Sequence, residues 1–244
     1  MMTRKYPGLF LAIEGPDGSG KREQQTAYIS RCERSGFRVV TVDFPQYASP
    51  IFGKIVGRML NKEFGELPHP VLASLPYAVD RWTAKPRIEE ELVNGGIVIA
   101  NRYSLSNMAH QSARLPKEQR WEFVNLLEQI EYGKDGFAIP KPDLYIVLGV
   151  PSEVCRERIS RKLTREYLAS GKPMDALEED LEHQLEAASM YSELARSLDG
   201  ITLVDCVPGG HELTIQEVHE LVWQESMKVL IQNREGIISG ERQH

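Results

Sequence analysis

The residues with the clearest chemical potential form a glycine-rich loop near the start of the chain. Residues 15–21 read Gly-Pro-Asp-Gly-Ser-Gly-Lys, and they lie between the apolar run 9–14 and a segment of helical period. Glycines allow backbone N–H groups to approach phosphate oxygens closely, and the start of a helix adds positive potential. The ammonium group of Lys21 adds a point charge. The pattern therefore predicts a phosphate-binding loop, the alternative being a plain glycine turn before a helix.

The residue after the loop lysine departs from the usual phosphate-binding pattern. That position normally carries Ser or Thr, whose hydroxyl reaches Mg²⁺, but here it is Arg22, which can only donate hydrogen bonds. Arg22 therefore either adds charge to the phosphate site or is a solvated helix residue. The nearest carboxylate is Asp17. It could hold Mg²⁺ through water, since Mg²⁺ usually keeps several waters, or it could order the substrate phosphate.

Two further groups of residues suit the recognition of a nucleotide. Tyr77 and Arg81 are four residues apart, so on a helix they share a face that could stack on a base and bond its edge. A packing pair at the helix surface is the alternative. Arg102 follows an apolar run, at the strand end where ligands bind in open α/β sheets. It could also be a surface arginine in a turn.

Short apolar runs alternate with longer segments of helical period along the chain. The predicted strands are residues 9–14, 39–44, 97–100, 144–150 and 201–205. The predicted helices are residues 21–35, 70–94, 117–132, 151–162, 177–197 and 215–231. This alternation predicts an α/β fold built on a doubly wound parallel sheet. Pro76 and Pro86 should kink or break the second helix.

Two segments are predicted to move relative to the rest of the chain. Residues 162–175 mix cations with Gly171 and Pro173 between two helical segments, which is typical of a mobile element. Residues 233–244 lack periodicity, and we expect them to form a flexible tail. Residues 1–232 are expected to form a single domain.

The composition argues against several classes of protein. The 244 residues carry a net charge of −6, whereas a general nucleic-acid binder needs a basic face. No apolar stretch approaches the roughly twenty residues that a membrane-spanning helix needs. Cys32, Cys155 and Cys206 lie far apart in the sequence and give no zinc or disulfide framework. We therefore expect a reduced, cytoplasmic protein.

Taken together and in this order, the motifs resemble those of the thymidylate kinase family. They are residues 15–22, 43–47, 80–81, 101–103, 106–111 and 141–143, and they span about residues 8–205. The resemblance implies a three-layer P-loop kinase fold, with a central parallel sheet of about five strands flanked by helices and a mobile lid at about residues 160–176. It also implies a homodimer that transfers the γ-phosphoryl group of ATP to dTMP, giving dTDP, with Mg²⁺ as cofactor.

The resemblance further implies roles for individual residues. ATP would be held by Gly15, Pro16, Asp17, Gly18, Ser19, Gly20, Lys21 and Arg22. The substrate dTMP would be held by Asp17, Phe44, Pro45, Tyr47, Tyr77, Arg81, Arg102, Asn107, Gln111, Asp175 and Glu178. The residues implied in catalysis are Asp17, Lys21, Arg22 and Arg102, together with the lid arginines Arg161 and Arg165. Asp17 is the implied metal residue, and Asp80 is expected to support Arg81.

Two positions depart from the pattern of the family. Gln46 stands where an arginine usually follows the Phe44-Pro45 pair, so a neutral amide replaces a cation. Asn101 stands where an aspartate is common and, with Arg22, leaves few ligands for Mg²⁺. Three alternatives stay open: a kinase for another pyrimidine monophosphate such as dUMP or UMP, a nucleotide-binding regulator with reduced or lost catalysis, and a structural P-loop domain.

Overall fold

A five-stranded parallel sheet lies between two layers of helices. The computed structural model describes residues 6–48, 51–158 and 181–241. The strands are β1 (Leu9–Glu14), β2 (Val39–Asp43), β3 (Ile97–Asn101), β4 (Leu144–Gly149) and β5 (Ile201–Asp205). Their order in the sheet is β2-β3-β1-β4-β5, and every neighbouring pair is parallel. The predicted fold class is confirmed, and each strand lies within about one residue of its predicted bounds.

The helices follow the strands in alternation. They are α1 (Lys21–Arg34), α2 (Phe52–Leu60), α3 (Pro70–Val93), α4 (Ser104–Ser112), α5 (Arg120–Tyr132), α6 (Leu181–Ser197) and α7 (Ile215–Glu241), with a further helical stretch at residues 152–158. The prediction missed α2 and α4. The buried face of α4 includes Ser104, Ser106 and Asn107, so its sequence lacks the apolar stripe by which a helix is recognised.

The core lies on both faces of the sheet, because every residue of β1 is buried. Leu11 and its alternate neighbours in β1 pack with α1 and α7, where Tyr28 and Val222 are fully buried. Phe10 points to the opposite face and joins residues of α3, α4, α5 and α6, including Ile88. This alternation produces the three-layer arrangement and explains why the strands are almost continuously apolar in sequence.

The strands extend from β1 in both directions, with β3 and β2 on one side and β4 and β5 on the other, so the strand order reverses at β1. In open α/β sheets, ligands bind at the carboxyl ends of the strands at such a switch point. The parallel register pairs Ile13 of β1 with Asn101 of β3. Glu14 and Arg102 therefore come to the same edge of the sheet, which is also the edge where the glycine loop begins.

The structure differs from the sequence-based expectations in two helices. The sequence predicts a kink or a break at Pro76 and Pro86, and α3 continues through both prolines, so there is no break. The packing of α3 against β3, α4 and α5 offsets the hydrogen bonds that the prolines cannot make. α7 is helical as far as Glu241, so regular backbone extends well into the segment that lacks apolar periodicity. None of the described helices is long and apolar enough to cross a bilayer.

The predicted lid cannot be compared with the structure. Residues 159–180 lie outside the described residues, and this range contains the whole of the predicted lid at about residues 160–176. Four predicted site residues fall in it, namely Arg161, Arg165, Asp175 and Glu178.

Candidate active site

The glycine loop connects β1 to α1 at the switch point of the sheet. Gly15 has φ +133° and Gly20 has φ +94°, a region that residues with side chains rarely adopt. A Cβ atom on Gly15 would lie 2.8 Å from the carbonyl oxygen of Leu148, so close packing against β4 also requires glycine there. Gly20 is the N-cap residue of α1. The chain thus has the strand, loop and helix start that the phosphate-binding prediction requires.

Lys21 is the first residue of α1, and its ammonium group folds back onto the loop. Its Nζ donates to the carbonyl oxygens of Gly15 (2.9 Å) and Pro16 (2.8 Å). Burial first, and then the neighbouring charge of Arg102, lower the pKa of Lys21 to about 7. An incoming phosphate would favour the charged form of this lysine, so Lys21 is poised to respond to an anion in the loop.

Arg102 lies directly after β3 and connects the loop to the neighbouring cavity. Its Nη1 donates to Ser106 Oγ (3.1 Å) and to the Tyr191 hydroxyl (3.2 Å), and its Nη2 is paired with Asp17. Burial alone would raise the pKa of Asp17, but the positive charges of Arg102 and Lys21 hold it well below its usual range. Asp17 is therefore a carboxylate between two cations.

Glu14 is a buried carboxylate that the sequence analysis did not assign to the site. Its Oε1 accepts hydrogen bonds from the backbone N–H groups of Tyr103 (2.6 Å) and Ser106 (3.3 Å), and its Oε2 accepts from Ser106 Oγ. Arg102 has a left-handed backbone with φ +62°, so these bonds stabilise a strained turn. Burial raises the pKa of Glu14. An acidic residue ending an otherwise apolar strand was the signal that could have identified it.

A cavity beside the loop encloses about 630 Å³ including its open mouth, through which it is continuous with solvent. The predicted substrate residues that line it are Asp17, Phe44, Pro45, Tyr47, Tyr77, Arg81, Arg102, Asn107 and Gln111. Other lining residues are Leu60, Tyr103, Ser106 and His110, which were not among the predicted substrate contacts. Residues distant in sequence thus come together in one cavity, with Arg102 and Arg81 both on its wall.

Arg81 is held by a carboxylate that no motif in the sequence singles out. Its Nε and Nη2 donate to the two carboxylate oxygens of Glu131, at 2.6 Å each. Both side chains are fully buried, and Glu131 also accepts from Asn107 Nδ2 at 3.2 Å. Two of the three guanidinium nitrogens of Arg81 are therefore occupied within the protein. The prediction that this guanidinium bonds a base is limited to the two hydrogens of Nη1 and the second hydrogen of Nη2.

Asp80 supports a different element from the one expected. Its Oδ2 accepts from the backbone N–H of Gln46 (2.8 Å), and its backbone oxygen accepts from Gln46 Nε2 (2.9 Å). The expectation that Asp80 orients Arg81 is therefore corrected, because the geometry places its carboxylate on the loop after β2. Gln46 makes these bonds to α3 and is not among the cavity-lining residues, so its amide anchors the loop.

A pair of histidines lies behind Arg102. His110 Nδ1 is 3.3 Å from His183 Nε2, and His110 Nε2 is 3.4 Å from Arg102 Nη1. Burial first, and then the charge of Arg102, lower the pKa of His110 to about 3. The imidazole of His110 is therefore neutral at physiological pH and can accept a hydrogen bond from Arg102.

The other cations near the loop differ in how they are held. Arg158 donates to the carbonyl oxygen of Gly18 (3.4 Å) and to Glu212 (2.9 Å), so it touches the glycine loop directly. Arg22 is exposed on the first turn of α1. Its exposure agrees with the solvated interpretation, although a bound triphosphate at the helix start would still lie near its positive charge.

The residues near the loop offer a metal ion neutral oxygens more readily than carboxylates. Asp17 already faces Arg102 and Lys21. The side-chain oxygens of Ser19 and Asn101 are buried and have no hydrogen-bond partner within the described part of the chain. In the same part of the chain, no cluster of three His, Cys, Asp or Glu residues could hold a metal by itself. These donors suit a Mg²⁺ ion that is held mainly by substrate phosphates and water.

Comparison with known proteins identifies the family. A sequence model described as thymidylate kinase matches residues 13–206 of this chain. The chain belongs to the thymidylate kinase family. A thymidylate kinase of Mycobacterium tuberculosis is 32% identical over 188 residues, which cover 77% of this chain and 86% of that protein. A human thymidylate kinase is 28% identical over 141 residues, which cover 58% of this chain and 60% of that protein.

A solved structure supports the fold of this thymidylate kinase family member. The structure of thymidylate kinase from Candida albicans superimposes with a TM-score of 0.69 at 22% sequence identity, covering 91% of this chain and 93% of that chain. The resemblance inferred from the ordered motifs is therefore confirmed, and with it the interpretation of the chain as an enzyme.

Proposed function

We propose that the chain transfers the γ-phosphoryl group of ATP to dTMP, giving dTDP. The observation that carries the proposal is one cavity lined both by an arginine beside the glycine loop and by aromatic and amide side chains. We call the part lined by Asp17 and Arg102, next to the loop, the phosphate end, and the part lined by Tyr77, Arg81 and Asn107 the base end. A pyrimidine monophosphate in this cavity would present its phosphate to the loop and its ring to the aromatic and amide side chains.

The chemistry requires positioning and charge stabilisation more than a strong base. The acceptor oxygen of a nucleoside monophosphate is already ionised at neutral pH, so it can attack the γ-phosphorus in line. We assign Arg102 to the acceptor phosphate, because this guanidinium lines the cavity beside the loop. Lys21 would stabilise the charge that spreads over the transferred group. Asp17 would give up its pairing with Arg102 when the acceptor phosphate arrives.

We assign the ATP phosphates to the loop residues 15–22, with the guanidinium of Arg22 near the outer phosphates. Arg161 and Arg165 are proposed to act from the lid, and Asp175 and Glu178 to approach the nucleoside from its end. The contact of Arg158 with the Gly18 carbonyl supports this arrangement, because it brings the chain that leads into the lid next to the loop. Closure of such a segment would also exclude water from the transfer.

We propose that Mg²⁺ accompanies ATP and is held by phosphate oxygens and water, with Asp17 as an indirect ligand. When bound, Mg²⁺ would neutralise charge on the β- and γ-phosphates. The side-chain oxygens of Ser19 and Asn101, which are buried and have no partner among the described residues, support a site with neutral donors. We expect turnover to fall sharply when divalent ions are removed with EDTA and to return when Mg²⁺ is added. Full turnover in excess EDTA would contradict this assignment.

We propose a homodimer that uses the outer face of α3. Leu72, Leu75 and Trp82 are exposed on this helix at spacings of three and seven residues, which places them along one stripe. Exposed apolar stripes of this kind mark protein–protein contacts. Sedimentation of the purified chain, with and without a Leu75→Glu substitution, tests the dimer. A monomer at micromolar concentration in the unsubstituted chain would contradict it.

We propose a cytoplasmic location, which the three free cysteines support. Cys32, Cys155 and Cys206 are all buried and unpaired. Free thiols are typical of reducing compartments.

The decisive experiment measures ADP release with ATP as donor and a panel of acceptors: dTMP, dUMP, UMP and dCMP. The proposal predicts that dTMP has the highest kcat/KM. A higher kcat/KM for UMP or dUMP would identify a kinase for another pyrimidine monophosphate. Binding of ATP and dTMP without formation of dTDP would identify a nucleotide-binding regulator. Either result would contradict the proposal.

A further inference from the structure

One buried carboxylate determines which groups of the base-binding wall donate hydrogen bonds and which accept them. Glu131 is fully buried and is not among the cavity-lining residues. Its Oε1 accepts from both Arg81 Nη2 (2.6 Å) and Asn107 Nδ2 (3.2 Å), and its Oε2 accepts from Arg81 Nε (2.6 Å). Two cavity-lining side chains on different helices, α3 and α4, therefore share a single anchor on α5.

The amide of Asn107 can adopt only one orientation beside this anchor. Its Nδ2 donates to Glu131 and to the backbone carbonyl oxygen of Ser74 (3.2 Å). Both partners can only accept hydrogen bonds, so the NH₂ group must face them and Oδ1 must face away. This Oδ1 is buried and has no partner within the described part of the chain. Asn107 lines the cavity, so the wall contains an unused acceptor.

The guanidinium of Arg81 is oriented by the same carboxylate. Nε and Nη2 are bound to Glu131, which leaves Nη1 as the nitrogen outside the fork. An arginine nitrogen can only donate, so the donor polarity of this group is fixed. Gln111 is a third cavity-lining residue with a fixed amide, because its Oε1 accepts from Arg114 Nη1 (2.7 Å). The wall thus combines an acceptor from Asn107 with donors from Arg81 and Gln111.

This set of groups matches one class of pyrimidine and opposes another. Thymine and uracil present oxygen acceptors on both sides of an N3–H donor, which complements two donors and an acceptor. Cytosine presents an amino donor in place of O4 and an acceptor at N3. A cytosine ring would therefore place its N3 lone pair against the acceptor of Asn107 or its amino group against the donors of Arg81. Buried mismatches of this kind reject a substrate strongly.

We propose that Glu131 is the positioning residue that makes this cavity select 4-oxopyrimidine monophosphates over 4-aminopyrimidine monophosphates. The inference rests on the proposed function, because it concerns the acceptor of the same reaction. Glu131 acts without touching the base. In a Glu131→Gln variant, the NH₂ of the new amide could donate to Oδ1 of a flipped Asn107 amide. The carbonyl oxygen of Ser74 would still favour the original orientation, in which Nδ2 donates to it. The amide of Asn107 then no longer has a single preferred orientation.

The test compares kcat/KM for dTMP, dUMP and dCMP in the unsubstituted chain, Glu131→Gln and Glu128→Gln. Glu128 is a matched control, because it lies on the same helix but pairs with Lys141 at the surface (2.8 Å). We expect the unsubstituted chain to prefer dTMP and dUMP to dCMP. In Glu131→Gln the ratio of dTMP to dCMP should narrow by at least about tenfold, mainly through a higher KM for dTMP. Glu128→Gln should leave the ratio unchanged.

The outcomes separate this inference from the proposed function. If the unsubstituted chain does not phosphorylate dTMP, both fall. If it phosphorylates dTMP and dCMP equally well, the inference is overturned together with the predicted preference for dTMP, although transfer to dTMP itself is shown. If it prefers dTMP but Glu131→Gln slows both acceptors by the same factor, the proposed function stands and the inference alone is overturned. If circular dichroism shows that Glu131→Gln does not fold, Asn107→Ala decides. A narrowed ratio in that variant supports the fixed acceptor, and an unchanged ratio overturns it.

Discussion

The two ends of the cavity each contain an arginine paired with a carboxylate, but the pairs are placed differently. At the phosphate end, Asp17 and Arg102 both line the cavity, and their side chains are 24% and 18% exposed. At the base end, only Arg81 lines the cavity, and Glu131 lies behind it with 0% exposure. The same chemical pair thus faces the ligand at one end and the protein interior at the other.

The difference determines what each pair can do. A phosphate that enters the cavity can replace Asp17 as the partner of Arg102, because both partners are accessible from the cavity. No ligand in the cavity can replace Glu131, which is enclosed by protein. The carboxylate partner of Arg102 can therefore be replaced by a ligand, whereas the partner of Arg81 cannot. Glu131 consequently fixes the direction of the neighbouring hydrogen bonds. Buried charges that lose their partner are strongly destabilising, so the two pairs should also differ in stability.

Removing each carboxylate in turn should produce the largest difference between the two pairs, in the free energy of unfolding. Glu131→Ala leaves Arg81 charged and buried without its partner, so we expect the free energy of unfolding to fall by about 3–5 kcal/mol. Asp17→Ala should cost less, about 1–3 kcal/mol, because Arg102 is partly exposed and keeps its bonds to Ser106 and Tyr191. Urea unfolding of both variants measures the difference. Equal losses would show that burial does not separate the pairs.

Lys21→Ala tests the charge at the phosphate end by activity. The ammonium group should stabilise the transferred phosphoryl group, so its loss should raise the barrier by about 3–4 kcal/mol, several hundredfold in kcat/KM. Thermal stability should not fall with it, since the substitution removes a cation that burial already disfavours. An ADP-release assay measures the rate. Near-normal turnover would contradict the assigned role of the loop.

The pKa of Lys21 predicts that ATP binding is linked to proton uptake at the phosphate end. With a pKa of about 7 in the free protein, Lys21 is mostly neutral at pH 8. Bound phosphates favour its charged form, so ATP binding at pH 8 should take up most of one proton. The affinity for ATP should accordingly weaken as the pH rises above 7. Titration calorimetry in two buffers of different ionisation enthalpy measures the uptake, and Lys21→Ala should abolish it.

The smallest effect is expected from Arg22→Ala, which tests whether Arg22 contacts the triphosphate. Arg22 is exposed on α1, so solvent screens its charge. We expect a change of less than about threefold in kcat/KM for ATP and little change in stability. A loss as large as that of Lys21→Ala would place Arg22 in direct contact with the triphosphate.

The sequence was sufficient to predict features that depend on neighbouring residues. Each strand and the glycine loop are encoded in one short segment, so their patterns can be recognised without knowledge of the fold. Arg102 could be placed at the ligand-binding edge because it directly follows a strand. The family resemblance added the substrate residues, and nine of them line one cavity: Asp17, Phe44, Pro45, Tyr47, Tyr77, Arg81, Arg102, Asn107 and Gln111.

The sequence was not sufficient for features that depend on pairing between distant segments. Glu131 is fifty residues from Arg81, and its position on α5 resembles that of any charged helix residue. Asp80 was assigned to its neighbour Arg81, but the fold brings Gln46 to it from the loop after β2. Glu14 ends an otherwise apolar strand, and its partners Tyr103 and Ser106 come from the segment after β3. In each case the partner could be identified only after the sheet order and helix packing were known.

The prolines of α3 have a consequence for the aromatic side chain that they flank. Neither ring nitrogen carries a hydrogen, so the carbonyl groups of Leu72 and Trp82, one turn earlier, receive no helical hydrogen bond from Pro76 or Pro86. A helix with two missing bonds can flex there at little energetic cost. Tyr77 follows the first of these points. We therefore expect the ring of Tyr77 to adjust its position over acceptors of different size.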